Sequence, residues 1–264
     1  MKALGRHLTG LTALLFFAQC STLVRSPDLP VAYEKAEPGT AWRDVVSTYV
    51  DEVGRVDFKR LSNTPEKLHV YVNYISRISP RSHPEHFKTK DAALAYYLNS
   101  YNALSLYNIL DAGIPESLGG LKKIKFFYFK KFVVGGEEMS LYAYENDIIR
   151  KQEDERVHFA LNCMSRGCPR LPRYPFPEDG LGTELDKQAK FFFGEERNLK
   201  IDPEKKRIYV SEILSFFTED FLRKDPTLIQ YINRYRREKI PDEYRVEFIP
   251  YDWTVNSQPV AVGE

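Results

Sequence analysis

Asp91-Ala92-Ala93-Leu94-Ala95-Tyr96-Tyr97-Leu98-Asn99-Ser100-Tyr101-Asn102-Ala103-Leu104-Ser105-Leu106-Tyr107-Asn108-Ile109-Leu110-Asp111 is the segment around which the rest of the chain must be arranged. Asp91 reads as its N-cap, Gly113 and Pro115 as its stop, and apolar residues fall on nearly every side of the helix between them. A helix with no polar face must be covered all round, so it is central and buried. The remaining elements have to supply that cover.

Outward from this helix, the pattern alternates helical and extended signals. On the N-terminal side, a helix is expected around 41–52, a short strand near Val56 to Phe58, and a second helix over 66–79 closed by Pro80. On the C-terminal side, Lys122 to Val134 reads as an extended, lysine-guarded edge strand turning at Gly135-Gly136, and Ser140 as the start of a helix through Ile148-Ile149-Arg150. A strand carrying His158 and the cysteines follows, then a loop with Pro169, Pro172, Pro175 and Pro177. A helix near 183–193, a hairpin at Asp202-Pro203, helices near 211–223 and 226–238 and a strand at 244–251 complete the chain. The expected class is α/β in the α+β sense: a single domain whose central sheet is packed by the buried helix. With 43% apolar and 14% aromatic residues, the chain has ample core material.

The N-terminus bears on the compartment. Lys2 and Arg6 precede an apolar run from Leu8 to Ala18 that meets Cys20, the layout of an export signal over 1–19. The run is short of the roughly 20 apolar residues that span a bilayer. Phe17-Ala18-Gln19-Cys20 is similar to a lipobox, which makes Cys20 the candidate lipidation site and 20–40, with Pro27, Pro30, Pro38 and Gly39, a tether; 257–264 is a tail. Loss of Lys2 and Arg6 leaves 36 basic against 37 acidic residues, a net charge of −1, and no strong electrostatic partner. The expected location is periplasmic or anchored to a membrane by the lipid.

Chemistry concentrates in Val157-His158-Phe159-Ala160-Leu161-Asn162-Cys163-Met164-Ser165-Arg166-Gly167-Cys168-Pro169, one imidazole and two thiols within eleven residues. His158 is a base or a structural histidine, and Cys163 and Cys168 are a nucleophile, a metal pair or a disulfide. On an extended strand, His158 and Cys163 point to opposite faces about 16 Å apart, so Cys168, beyond the loop, is the freer partner. A zinc site needs a further ligand, and His69, His83 and His86 lie in segments with no evident reason to converge on it, so no metal is expected. No Walker loop, dinucleotide fingerprint, HExxH, EF-hand or GxSxG is present, so no cofactor is expected either. Lys122-Lys123-Ile124-Lys125-Phe126-Phe127-Tyr128-Phe129-Lys130-Lys131 has the composition of a nucleic-acid patch, but export removes that partner and leaves an anionic envelope surface.

Tyr97-Leu98-Asn99-Ser100-Tyr101-Asn102-Ala103, Ser140-Leu141 through Glu145 to Ile149-Arg150, His158-Phe159-Ala160-Leu161-Asn162-Cys163 to Cys168-Pro169, and Tyr251-Asp252-Trp253 with Asn256 occur here in order. Over 41–256 the chain resembles the DUF547 family, whose function is unknown. It is similar at a greater distance to transglutaminase-like and papain-like thiol enzymes, which implies a nucleophile-bearing helix packed on a sheet with the histidine on a neighbouring strand. The helix at 91–111 offers Asn99, Ser100 and Asn102 where the thiol would stand.

Asn99 and Asn102 share one face of the buried helix, as oxyanion donors, as groups orienting His158, or as clasps for loop carbonyls. Asp252 is a candidate third member beside His158, or binds a backbone amide. Glu145 and Arg150 form an ion pair, or Arg150 receives a substrate carboxylate. Two functions follow. One is a thiol-dependent hydrolase or acyl transferase on amide bonds of a peptide or envelope substrate, with Cys168 or Cys163 as nucleophile and His158 as base. The other is a non-catalytic envelope lipoprotein that binds a ligand or partner, its cysteines joined in a disulfide.

Overall fold

The computed structural model describes residues 21–259; the leader read at 1–19, the lipidation site Cys20 and residues 260–264 of the expected tail lie outside the described residues. Helices α1 (Pro38–Tyr49), α2 (Phe58–Asn63) and α3 (Glu66–Arg77) lead to the long α4 (Lys90–Asp111), the helix anticipated from sequence. Sixteen of its twenty-two residues are buried, which is what apolar residues on every side require. Its cap is Thr89, whose hydroxyl accepts from the Ala92 amide; Asp91, read as the cap, lies within the first turn and adds negative charge near the helix N-terminus instead. At the other end Gly113 adopts φ +73° and the Ile114 amide reaches back to Ile109 O.

Buried polar groups on α4 hold other segments by their backbones. Asn99 donates to Phe176 O and accepts from Phe176 N and the Trp42 indole. Asn102 donates to Ala160 O and accepts from Asn162 N. Asn108 donates to Phe126 O. Each such bond contributes about 1 kcal/mol net and costs more if left half made. The helix therefore fixes the segments around 126, 160 and 176 through side chains that are themselves buried.

The strands form two sheets of three rather than one central sheet. In the first, β1 (Thr22–Leu23) runs parallel to β2 (Lys130–Val134), and β2 pairs antiparallel with β3 (Glu137–Ser140) across Gly135 and Gly136, both at positive φ as a tight hairpin turn demands. Part of the stretch read as a tether is thus docked: Val24 is buried, and the Asn73 amide donates to Pro27 O. In the second sheet, β4 (Leu199–Asp202) pairs antiparallel with β5 (Arg207–Ser211), which runs parallel to β6 (Arg245–Ile249). From the expected tail, the Gln258 amide pairs with Val56 O.

Two hydrophobic clusters organise the chain. One gathers α1, α3, α4 and β2; the other packs α6 (Leu181–Gly194) and the second sheet around Phe159, Phe192, Phe193, Phe221 and Tyr231. Residues 157–161 pass between them, Val157, Ala160 and Leu161 in the first and Phe159 in the second. This passage corrects two expectations. The segment carrying His158 is a 3-10 helix, Glu155–Phe159, capped by Asp154, and not a strand, because a run buried on all sides has no period to distinguish the two. The stretch from Leu121 to Phe129 is helical, a turn of α5 (Leu121–Ile124) continued by a π-turn at Lys125–Phe129, and only Lys130–Val134 is extended. Val56 makes only isolated bridges, and Phe58 already begins α2. The papain-like layering that the distant similarity implies is not confirmed; the thiols lie on a loop after the 3-10 helix and not on α4. No helix of the described residues is long and apolar enough to cross a membrane.

Candidate active site

A cavity of about 340 Å³ opens where the two clusters meet, and His158, Cys163 and Cys168 all line it, with Glu145, Arg150, Tyr101, Lys123, Tyr251 and Trp253. The loop that presents the thiols is set from below. Asn102 of α4 holds Ala160 and Asn162; the Asn162 side chain then donates to Pro169 O at 2.7 Å and accepts from the Met164 amide at 2.7 Å. Met164 takes φ +69°, a left-handed conformation that a non-glycine residue holds only where its surroundings dictate it. The chain doubles back, and the two sulfurs lie 3.0 Å apart as free thiols.

Donors converge on Cys168. The Cys163 amide is 3.0 Å from its sulfur, the Tyr251 hydroxyl 3.0 Å and the Ser165 hydroxyl 3.4 Å. The Ser165 hydroxyl also reaches the Tyr251 oxygen at 3.0 Å, so its one proton is shared between that oxygen and the sulfur, and the tyrosine's own proton faces the sulfur. Burial works against a thiolate here, but the hydrogen bonds from Cys163, Ser165 and Tyr251 outweigh it and bring the Cys168 thiol down to about 6. Cys163 shifts the other way, its proton held by the bond to Cys168 and by burial. Tyr251 likewise stays protonated, through burial and the adjacent sulfurs. Gly167 makes room for this ring: a Cβ there would fall 2.9 Å from three of its carbons.

His158 is buried at 3% exposure and stacks on Phe217 with ring centres 3.8 Å apart. Its Nε2 lies 2.7 Å from Asp220 Oδ2, on α7 (Thr218–Leu222). Burial pushes the imidazole below its ordinary value despite the carboxylate, so the neutral ring donates from Nε2 to Asp220. Nδ1 then carries the lone pair, and it is buried with no hydrogen-bond partner among the described residues. Asp220 itself is held well below the usual carboxylate range: burial would raise it, and His158 and Arg150 overcome that. Arg150 grips it with Nε at 2.7 Å and Nη2 at 2.8 Å, and Arg223 adds a bond at 2.6 Å.

Asp252 is not beside His158. It is exposed, and its carboxylate accepts from the Thr254 amide, a local turn bond. The acid that orients the histidine is Asp220, 62 residues away in sequence, and no local signal marked it. Asn99 and Asn102 do not line this cavity. Their side-chain amides are taken up by the backbone bonds described above, so they act as clasps, and Asn99 faces a second cavity beside Trp42 and Tyr71. Arg150 pairs with Asp220 rather than with Glu145.

Glu145 sits in a π-turn, Tyr144–Ile149, that follows the Ser140 cap, and accepts from the Tyr101 hydroxyl at 2.9 Å. Burial raises its carboxyl to about 7. Because the folded value lies above the unfolded one near 4.3, ionisation costs stability as pH rises between them, and the cost is complete above 7. Glu145→Gln is therefore expected to raise stability at pH 8 by about 3–4 kcal/mol and to change it little at pH 4. Denaturant melts at the two pH values check this, and an equal effect at both would remove the charge explanation.

Among the described residues no group of three or more His, Cys, Asp and Glu side chains is arranged to hold a metal ion. No curated protein and no solved structure matches the chain. Residues 84–193, which span α4, the thiol loop and nearly all of α6, match the model of a family described as a protein of unknown function, DUF547.

Proposed function

We propose that the chain is an exported envelope protein whose DUF547 domain is a thiol-dependent hydrolase or acyl transferase, with Cys168 as nucleophile. The observation that carries this reading is the Cys168 sulfur, set in a cavity wall with three donors converging on it and a low thiol value, in the same cavity as a histidine with a free Nδ1. In the proposed reaction the Cys168 thiolate attacks the carbonyl carbon of an amide or ester. His158, having taken the thiol proton on Nδ1, returns it to the leaving amine or alcohol, which departs as the thioester forms. Water or an amine then attacks the thioester with His158 as base, and Cys168 leaves as thiolate. Asp220 fixes the tautomer and balances the imidazolium. Lys123 and the Tyr251 hydroxyl are the cavity donors available to a developing oxyanion. Export rests on Lys2, Arg6, the run Leu8 to Ala18 and Cys20.

The 3.0 Å gap between the sulfurs also favours a second reading, in which an oxidising compartment closes them into a disulfide and the domain only binds. Alkylation of protein from its native compartment at neutral pH, before and after reduction, followed by peptide mapping, separates the two. Rapid labelling of Cys168 without reductant, slowed by His158→Ala, is the expected result. Labelling of both cysteines only after reduction would leave the binding reading in place and end the catalytic one.

A further inference from the structure

The helical segment 121–129 carries its apolar stripe outward. Leu121, Ile124 and Tyr128, spaced three and four apart, share one face and are 84%, 43% and 45% exposed, whereas such a stripe ordinarily faces the core. Only Phe126 is buried. Lys122 and Lys125 are exposed on either side, Lys123 lies 4.3 Å over the Trp253 ring, and no acidic residue occurs from Leu121 to Gly136. Exposed Tyr142, stacked on Tyr128 at 4.4 Å, and exposed Phe216 extend the patch. Lys123, Tyr128, Tyr142, Phe216 and Trp253 also line the cavity of Cys168, so the patch surrounds its mouth.

Ser21, the first of the described residues, adjoins the same face: Thr22 of β1 pairs with Lys130, the residue that follows the helical segment. Lys130 itself is buried against Asp111 and adds no charge to the surface.

We propose that this face docks the domain on an anionic membrane surface, with Leu121, Ile124 and Tyr128 in the headgroup region and Lys122 and Lys125 on lipid phosphates. The mouth of the cavity then meets the bilayer, and the domain's ligand is one presented at that surface. Aliphatic side chains between the lysines fit a lipid interface; a nucleic acid would use stacked aromatics and leave Leu121 and Ile124 without a role. The docking does not depend on Cys168 being a nucleophile.

The test uses the full chain with Cys20→Ser, so that no acyl group contributes, and vesicles of phosphatidylcholine with or without phosphatidylglycerol. Trp253 reports the orientation: headgroup-labelled nitroxide lipid should quench its emission, and Trp253→Phe should remove the quenched component, since Trp42 is buried. Binding to the anionic vesicles is expected to exceed that to neutral ones roughly tenfold or more, and to weaken by a similar factor in Leu121→Glu/Ile124→Glu and in Lys122→Glu/Lys125→Glu. Thermal melts confirm that these surface variants fold; were one to melt early, loss of the parent chain's binding as salt rises is the second measurement. Equal binding to both vesicles, variants that bind like the parent, binding insensitive to salt, or a vesicle-bound chain with Trp253 unquenched would each overturn the proposal, the last by placing the attachment at the N-terminus alone.

Discussion

Cys168→Ser is expected to abolish the fast phase of thiol alkylation and to lower any acyl-transfer activity by roughly a thousandfold or more, because it removes the attacking atom itself. The pH profile distinguishes this from a general loss of structure. In the parent chain, labelling of Cys168 rises with pH through about 6, where its thiol titrates, and levels off above it. Cys163, whose proton is held by the bond to Cys168 and by burial, contributes only at alkaline pH. Cys163→Ser should therefore keep the phase near pH 6, since its backbone amide and a hydroxyl still face the sulfur, whereas Cys168→Ser leaves only the alkaline phase. Stopped alkylation followed by mass mapping across pH 4–10 reads both. A fast phase surviving in Cys168→Ser would move the nucleophile to Cys163.

The largest stability effect is expected at Asp220. Its carboxylate, 3% exposed, is the shared acceptor of Arg150, Arg223 and His158, and truncation leaves those donors facing an empty acceptor site. Breaking a buried pair by removing one partner costs about 3–5 kcal/mol, or on the order of 10 °C in melting temperature for a domain of this size. Because the folded carboxyl is depressed below its unfolded value near 3.9, its stabilisation is complete above that value and drains away as pH falls further toward the folded one. Asp220→Ala should thus lose most at neutral pH and converge on the parent in acid. A melt series from pH 7 down to pH 2 in which the two chains stay a constant distance apart would show that the network contributes by packing rather than charge.

Much of the skeleton was legible in the chain. The buried helix, the Gly135-Gly136 hairpin, the Ser140 cap, the Asp202 hairpin and the final strand follow from local rules: apolar periodicity, positive-φ turns and side-chain caps act within a few residues. The elements misread were those buried on all sides or turned inside out. The His158 segment has no polar face to set a period, and at 121–129 the exposed apolar stripe reversed the usual relation between hydrophobicity and burial. Asn99 and Asn102 were recognisable as buried amides, but which backbone they clasp depends on segments 58 to 77 residues away.

Local patterning along the chain is enough to give a helix-centred α/β core, to gather the thiols and the lone core histidine within eleven residues, and to set that cluster among the DUF547-like motifs. Which acid serves the histidine, which sulfur collects the hydrogen bonds, and which side of the domain surrounds the cavity emerge only once the chain is folded. Those are relations between residues up to 88 apart, such as Tyr251 on Cys163 and Asp220 on His158. They depend on how two hydrophobic clusters close over one loop, and no rule confined to neighbouring residues carries that information.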